Sequence, residues 1–181
     1  MASNADDRGA GRGSPWRIAA WGTAALLLLL PLVAMQFTDE VSWTGFDFIF
    51  AGIMLGSVGL VFELTVRMSR NYAYRAGVGF ALAAAFLIVW ATGAVGMIGD
   101  EGNPYNLLFG GAILVALAGA AVARLRPAGM ALAMIAAAVA HAAVALGGLV
   151  ADPRGAVVSL VFAAPWLLSA WLFRKAAREQ S

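Results

Sequence analysis

Three ionisable side chains fall inside long apolar stretches of this 181-residue chain: Asp47, Glu63 and His141. Away from water such groups are costly unless paired, so each is a functional candidate by default. Glu63 and His141 suit proton-linked work best: a carboxylate that can hold a proton or a cation, and an imidazole near the middle of its segment. Each also has a plain structural reading. Glu63 stands four residues before Arg67, the spacing of a helical ion pair. His141 shares a helix face with Met130, Met134, Ala137, Ala138, Ala145 and Gly148. There it reads as an interhelical hydrogen-bonding group, with Thr92, Ser57 or Ser159 as partner. Its alternative readings are a proton relay, a quinone or haem contact, and one wall of a substrate pocket. Asp47 follows Thr44 by three residues, a capping-box-like start with Asp in place of Glu.

A second candidate is the polar stretch GMIGDEGNPYN, residues 96–106. Asp100, Glu101 and Asn103 offer oxygen ligands to an external cation or partner, yet their spacing matches no calcium loop. Asn103-Pro104 has a direct structural meaning, an N-cap followed by proline at the first helical position. One histidine and no cysteine exclude disulfides, thiolate metal sites, cysteine nucleophiles and bis-histidine haem within one chain. Asp47 and Glu63 lie about 24 Å apart along a helix, on nearly opposite faces, and form no dyad. Nucleophile-elbow, P-loop and dinucleotide signatures are missing, so no catalytic, metal or cofactor-binding residue is assigned and no cofactor is expected.

The elements that must position these groups are apolar helices. Apolar residues make up 62% of the chain and charged residues 12%, with a mean hydropathy of +0.83. A water-soluble domain is nearer half apolar and a quarter charged. Six apolar segments run roughly over 18–37, 45–66, 77–98, 105–123, 128–150 and 156–173. Each is long enough to cross a hydrocarbon core of about 30 Å. Helices satisfy every backbone group within the segment, which lipid demands. The expected architecture is all-α, a six-transmembrane-helix bundle with short loops. Residues 1–14 read as a disordered cytoplasmic N-terminus, 15–174 as the transmembrane domain and 175–181 as a cytoplasmic tail. Segment one follows three arginines like a signal peptide, but its apolar run is long and reads as an uncleaved anchor.

Charge sets the orientation. Eleven of the twelve basic residues fall on one side of this topology and only Arg154 on the other. That asymmetry predicts that both termini are cytoplasmic, with Asp39, Glu40, Asp100, Glu101 and Asp152 outside. The sequence pI near 9.5 then reflects topology and attraction to anionic lipid, and predicts no nucleic-acid partner. Gly52, Gly56 and Gly59 line one face of segment two above Glu63, a stripe that predicts close helix packing. Trp16, Trp21, Trp43 and Trp171 suit membrane interfaces, whereas Trp90 and Trp166 fall near the midplane. A three-plus-three inverted repeat is allowed by the topology, but the halves share no convincing residue match.

The stretch from YRAGVGFALAAAFLIVWATGAVGMIGDEGNPYN to ARLRPAGMA resembles a family of small, uncharacterised multi-pass inner-membrane proteins of bacteria. The resemblance covers about a third of the chain. It implies a bacterial inner (plasma) membrane location and hydrophobic helices, and it supplies no activity or catalytic residue. The function expected is an accessory, scaffold or lipid-like-ligand-binding role in the bilayer, against another membrane protein or a lipid-like ligand. The competing expectation is a small-solute or proton-coupled transporter using Glu63 and His141. An enzyme ranks third.

Overall fold

The computed structural model describes residues 15–39 and 41–180, and for residues 15–17 and 20 the backbone alone. The expectation of disorder at 1–14 lies outside the described residues. Every regular element among them is helical: α1 (Pro15–Ala34), α2 (Gly45–Met68), α3 (Tyr72–Ala94), α4 (Gly110–Val122), α5 (Pro127–Gly147), α6 (Pro153–Leu160) and α7 (Ala163–Arg178), with 3-10 turns at Pro104–Phe109 and Gly148–Val150. Five helical stretches are long and apolar enough to cross a membrane: Gly45–Met68, Tyr72–Ala94, Pro104–Val122, Pro127–Val150 and Pro153–Arg178. Trp21–Ala34 adds a shorter apolar one. The chain divides into two units, residues 1–61 and 62–181.

Within the larger unit, α7 packs along both α3 and α5, and α4 packs along α5. Side chains buried at these contacts include Ile88, Met134, Trp166 and Phe173. At the α4–α5 contact two glycines each sit opposite another small residue. A Cβ at Gly119 of α4 would lie 2.5 Å from the Cβ of Ala133 in α5, and one at Gly129 would lie 2.6 Å from that of Ala123. Only a missing side chain lets these two backbones approach so closely. The turn between α4 and α5 is tight enough to put Arg124 and Leu125 in the left-handed region, at φ 49° and 59°. Pro127, at the first position of α5, then restarts the helix.

The structure corrects several expectations. The seam expected along Gly52, Gly56 and Gly59 is not built at the first two, where a Cβ would meet no described atom within 4 Å. At Gly59 the notch takes the ring of Trp21, which comes within 3.0 Å of the place a Cβ would occupy. At that position a large ring fills the notch instead of a second backbone. The apolar pattern predicts a third helix as far as Ile98, but it ends at Ala94. Gly96 and Gly99 adopt φ 74° and 71°, which turns the chain out of the helical path. The sixth segment is two helices separated at Val161 and Phe162. Pro165 lacks the N–H that would bond the Val161 carbonyl, and its ring crowds that carbonyl. Pro31, by contrast, lies inside an uninterrupted α1.

Replacing Gly119 with Leu is expected to overpack the α4–α5 contact and destabilise the protein by about 1–3 kcal/mol. Gly56→Leu should stay within about 0.5 kcal/mol of the parent. Denaturant unfolding in detergent micelles measures both. A costly Gly56→Leu beside a neutral Gly119→Leu would restore the stripe to a packing role.

Candidate functional site

The polar residues gather at one end of the larger unit, around the loop from Val95 to Asn103. Asn103 caps the 3-10 turn as its sequence predicts: its Oδ1 accepts from the Tyr105 N–H at 3.0 Å. Its Nδ2 donates to the Ile98 carbonyl at 3.0 Å. Asn106 is the centre of the loop and only 1% exposed. Its Oδ1 accepts from the N–H groups of Met97 and Ile98 at 3.0 and 2.8 Å, and its Nδ2 donates to the Asp100 carbonyl at 2.8 Å. One amide thus satisfies three backbone groups that the two glycine turns leave without a ladder.

Asp152 ties the neighbouring connection to this loop. It caps α6, where Oδ1 accepts from the Gly155 N–H at 2.9 Å, while Oδ2 accepts from the Gly99 N–H at 3.0 Å. These two bonds, Gly155's first, and then the nearby Arg154 hold its carboxyl below the ordinary aspartate range. Asp100 and Glu101 are exposed. Asp100 serves the loop through its main-chain carbonyl. Among the described residues no group of three or more His, Asp or Glu side chains could hold a metal ion.

His141 lies under this loop and is fully buried. Its Nε2 sits 2.9 Å from the carbonyl oxygen of Ser159 in α6, and its ring lies 5.0 Å from that of Phe109. The Ser159 carbonyl is reachable because the helix breaks just after it. It accepts from the Phe162 N–H at 3.0 Å, in a tightened last turn that turns a lone pair towards α5. A carbonyl can only accept, so Nε2 carries the proton and Nδ1 is the bare nitrogen. Nδ1 has no hydrogen-bond partner among the described residues. The Ser159 hydroxyl donates to the Met97 carbonyl at 3.0 Å, which joins this helix break to the loop. Tyr105 donates to the Val144 carbonyl at 2.8 Å and closes the cluster onto α5.

The other two candidates are bonded close to home. Glu63 pairs with Arg67 one turn on, and the carboxylate side chain is the more buried of the two, 13% exposed against 63%. Asp47 Oδ2 accepts from the Thr44 N–H at 2.7 Å and the Thr44 hydroxyl at 2.8 Å, the reciprocal half of a capping box. His141 makes no bond to Glu63. The structure brings together Asn103, Asn106, Asp152, Ser159 and His141, while Glu63 pairs with Arg67 and Asp47 with Thr44.

Asp152-Pro153 carries the same cap-and-proline signal as Asn103-Pro104, so its cap was readable from the sequence. Its reach to Gly99, 53 residues away, was not. Ser159 stood among the hydroxyl partners open to His141, but it is its main-chain carbonyl that accepts. Comparison with known proteins finds no matching family model, no similar curated protein and no similar solved structure.

Since the folded-state pKa of Asp152 lies below its unfolded value, its stabilising effect is complete above about pH 4 and fades as pH falls further. Parent and Asp152→Asn should therefore differ in unfolding midpoint by a steady amount from about pH 6 to about pH 4, and the difference should shrink as pH falls further. A difference that does not shrink below about pH 4 would contradict the two-bond role of Asp152. Asn106→Leu should cost about 3 kcal/mol at any pH in this range, because it orphans buried N–H groups.

Proposed function

We propose that this chain is a multi-pass inner-membrane protein of bacterial type that crosses the bilayer six times, keeps both termini cytoplasmic, and acts as an accessory or scaffold component. One observation supports the scaffold reading over transport most strongly. His141, an ionisable group in the middle of a span, is fully buried against a main-chain carbonyl and a phenyl ring. A relay hands a proton between partners, and this imidazole has a fixed bond on Nε2, the Phe109 ring beside it and no partner on Nδ1 among the described residues. Glu63, the other candidate carrier, is neutralised by Arg67.

The distribution of charge supports the orientation. The bonds from Asn71 to Glu179 and from Tyr74 to the Leu125 carbonyl bring the α2–α3 turn, the α4–α5 turn and the end of α7 to one end of the larger unit. Arg70, Arg75, Arg124, Arg126, Arg174, Lys175 and Arg178 therefore cluster there, while Asp100, Glu101, Asp152 and Arg154 mark the other end. Membrane proteins place the basic end in the cytoplasm. Exposed side chains such as Leu114, Leu117, Leu132, Val139 and Leu167 are between 53% and 69% accessible, a surface suited to hydrocarbon. The open face at Gly52 and Gly56 suits a helix of another membrane protein, which supports an accessory role.

Reporter fusions after Ser181 and within the loop at Gly102 should give opposite signals, cytoplasmic and external. An external signal after Ser181 would overturn the topology. In the same cells His141→Ala should lower the amount of assembled protein, with any proton-dependent uptake falling only in proportion. Normal assembly with abolished uptake would favour the transporter.

A further inference from the structure

A groove of about 490 Å³ opens on the outer side of the α5–α7 contact. Its walls change character along its length. Ile135, Leu167 and Trp171 form the apolar part, and Arg174, Lys175 and Arg178 form the rim. Leu167, Trp171, Arg174 and Arg178 follow one another at spacings of four, three and four, so they make a single stripe down the outward face of α7. Leu167 and Trp171 are 53% and 58% exposed, although both belong to an apolar span. About 10 Å of helix separates Leu167 from Arg174, the depth over which this face passes from hydrocarbon-like to cationic.

Two features specify what fits. Among the described residues, neither Arg174 nor Lys175 has a carboxylate partner within ion-pair distance. Two adjacent cations at the end of a span thus face outward without an internal counter-charge. The apolar wall below them is continuous with the surface of the span, and Trp171 stands at the boundary, where indole rings favour the headgroup level. A free phosphate would satisfy the rim and leave the apolar wall unused. A neutral lipid would do the reverse. A water-soluble acidic protein would meet the rim alone.

We infer that this groove is a binding site for an anionic phospholipid, with its phosphate held by Arg174 and Lys175 and the first part of one acyl chain lying along Trp171, Leu167 and Ile135. Basic pockets between membrane helices on the cytoplasmic side recognise anionic headgroups in this way. The site rests on the membrane reading proposed above and gives its lipid-like ligand a chemical class and a location.

The test uses the full chain in neutral detergent micelles and two probes, phosphatidylglycerol and phosphatidylcholine, each with brominated acyl chains that quench nearby indoles. The Trp171 signal is the difference between the parent and Trp171→Phe. Brominated phosphatidylglycerol should quench it at a mole fraction at least about fivefold lower than brominated phosphatidylcholine. The double variant Arg174→Gln/Lys175→Gln should bring the two lipids within about twofold. Arg174→Lys, which keeps the charge, should retain the preference and shows that the loss is not a folding defect. Equal quenching by the two lipids in the parent, or a preference that survives the double variant, would overturn the site. Loss of the preference in millimolar sodium phosphate, but not in sodium chloride of matched ionic strength, would assign the cations to free phosphate and also overturn it. No quenching of any tryptophan by either lipid would instead overturn the membrane reading itself.

Discussion

In hydrocarbon a buried side-chain donor has no water to turn to, and the helical ladder has already taken the backbone N–H groups. What remains is the second lone pair of a main-chain carbonyl. The larger unit uses this acceptor repeatedly. Ser169 of α7 donates to the Gly77 carbonyl of α3 at 2.7 Å, and Tyr74 of α3 donates to the Leu125 carbonyl at 3.0 Å. Tyr105 and Ser159 do the same toward Val144 and Met97, and His141 toward Ser159. Each such bond joins two elements, so polar satisfaction and helix placement are the same event. An interhelical bond of this kind is worth about 0.6–2 kcal/mol, modest singly but directional where apolar packing is not.

The constraint also explains where the helices are irregular. A continuous helix from Pro153 to Arg178 would direct the Ser159 carbonyl along its own axis toward residue 163. The interruption at Val161 and Phe162 leaves that carbonyl in a tightened turn and open to the imidazole. Likewise the chain from Gly96 to Asn103 makes no ladder of its own, and the Asn106 amide and the Asp152 carboxylate supply the missing partners. Phe109 and Ile98, at the base of this loop, are 0% and 1% exposed.

How much of this was legible follows from sequence separation. The Thr44–Asp47 cap, the Glu63–Arg67 pair and the Asn103-Pro104 start all close within four residues, and spacing alone identifies them. Helical class was legible from composition and run length, while the six expected segments meet five helical stretches long enough to cross a membrane and a shorter one. The contacts that build the cluster were not legible. Ser159 to Met97 spans 62 residues and Gly99 to Asp152 spans 53, and neither leaves a local pattern. Repeated glycines on one helix are conspicuous, but close approach needs a small residue on both partners, and Gly119 opposite Ala133 meets that need without any repeat. The break in the last span had its signal in Pro165, which marks an interruption but does not reveal the acceptor it frees for His141.

The central claim is that His141 is a fixed interhelical contact whose Nε2–H donates to the Ser159 carbonyl. Because the chain has one histidine, labelling histidine with nitrogen-15 reports on this ring alone. Nitrogen NMR of the protein in lipid nanodiscs at neutral pH should show a single tautomer, with a protonated Nε2 and a bare Nδ1. A protonated Nδ1 with bare Nε2, an imidazolium, or exchange between states would contradict the account and return His141 to the proton-carrying role.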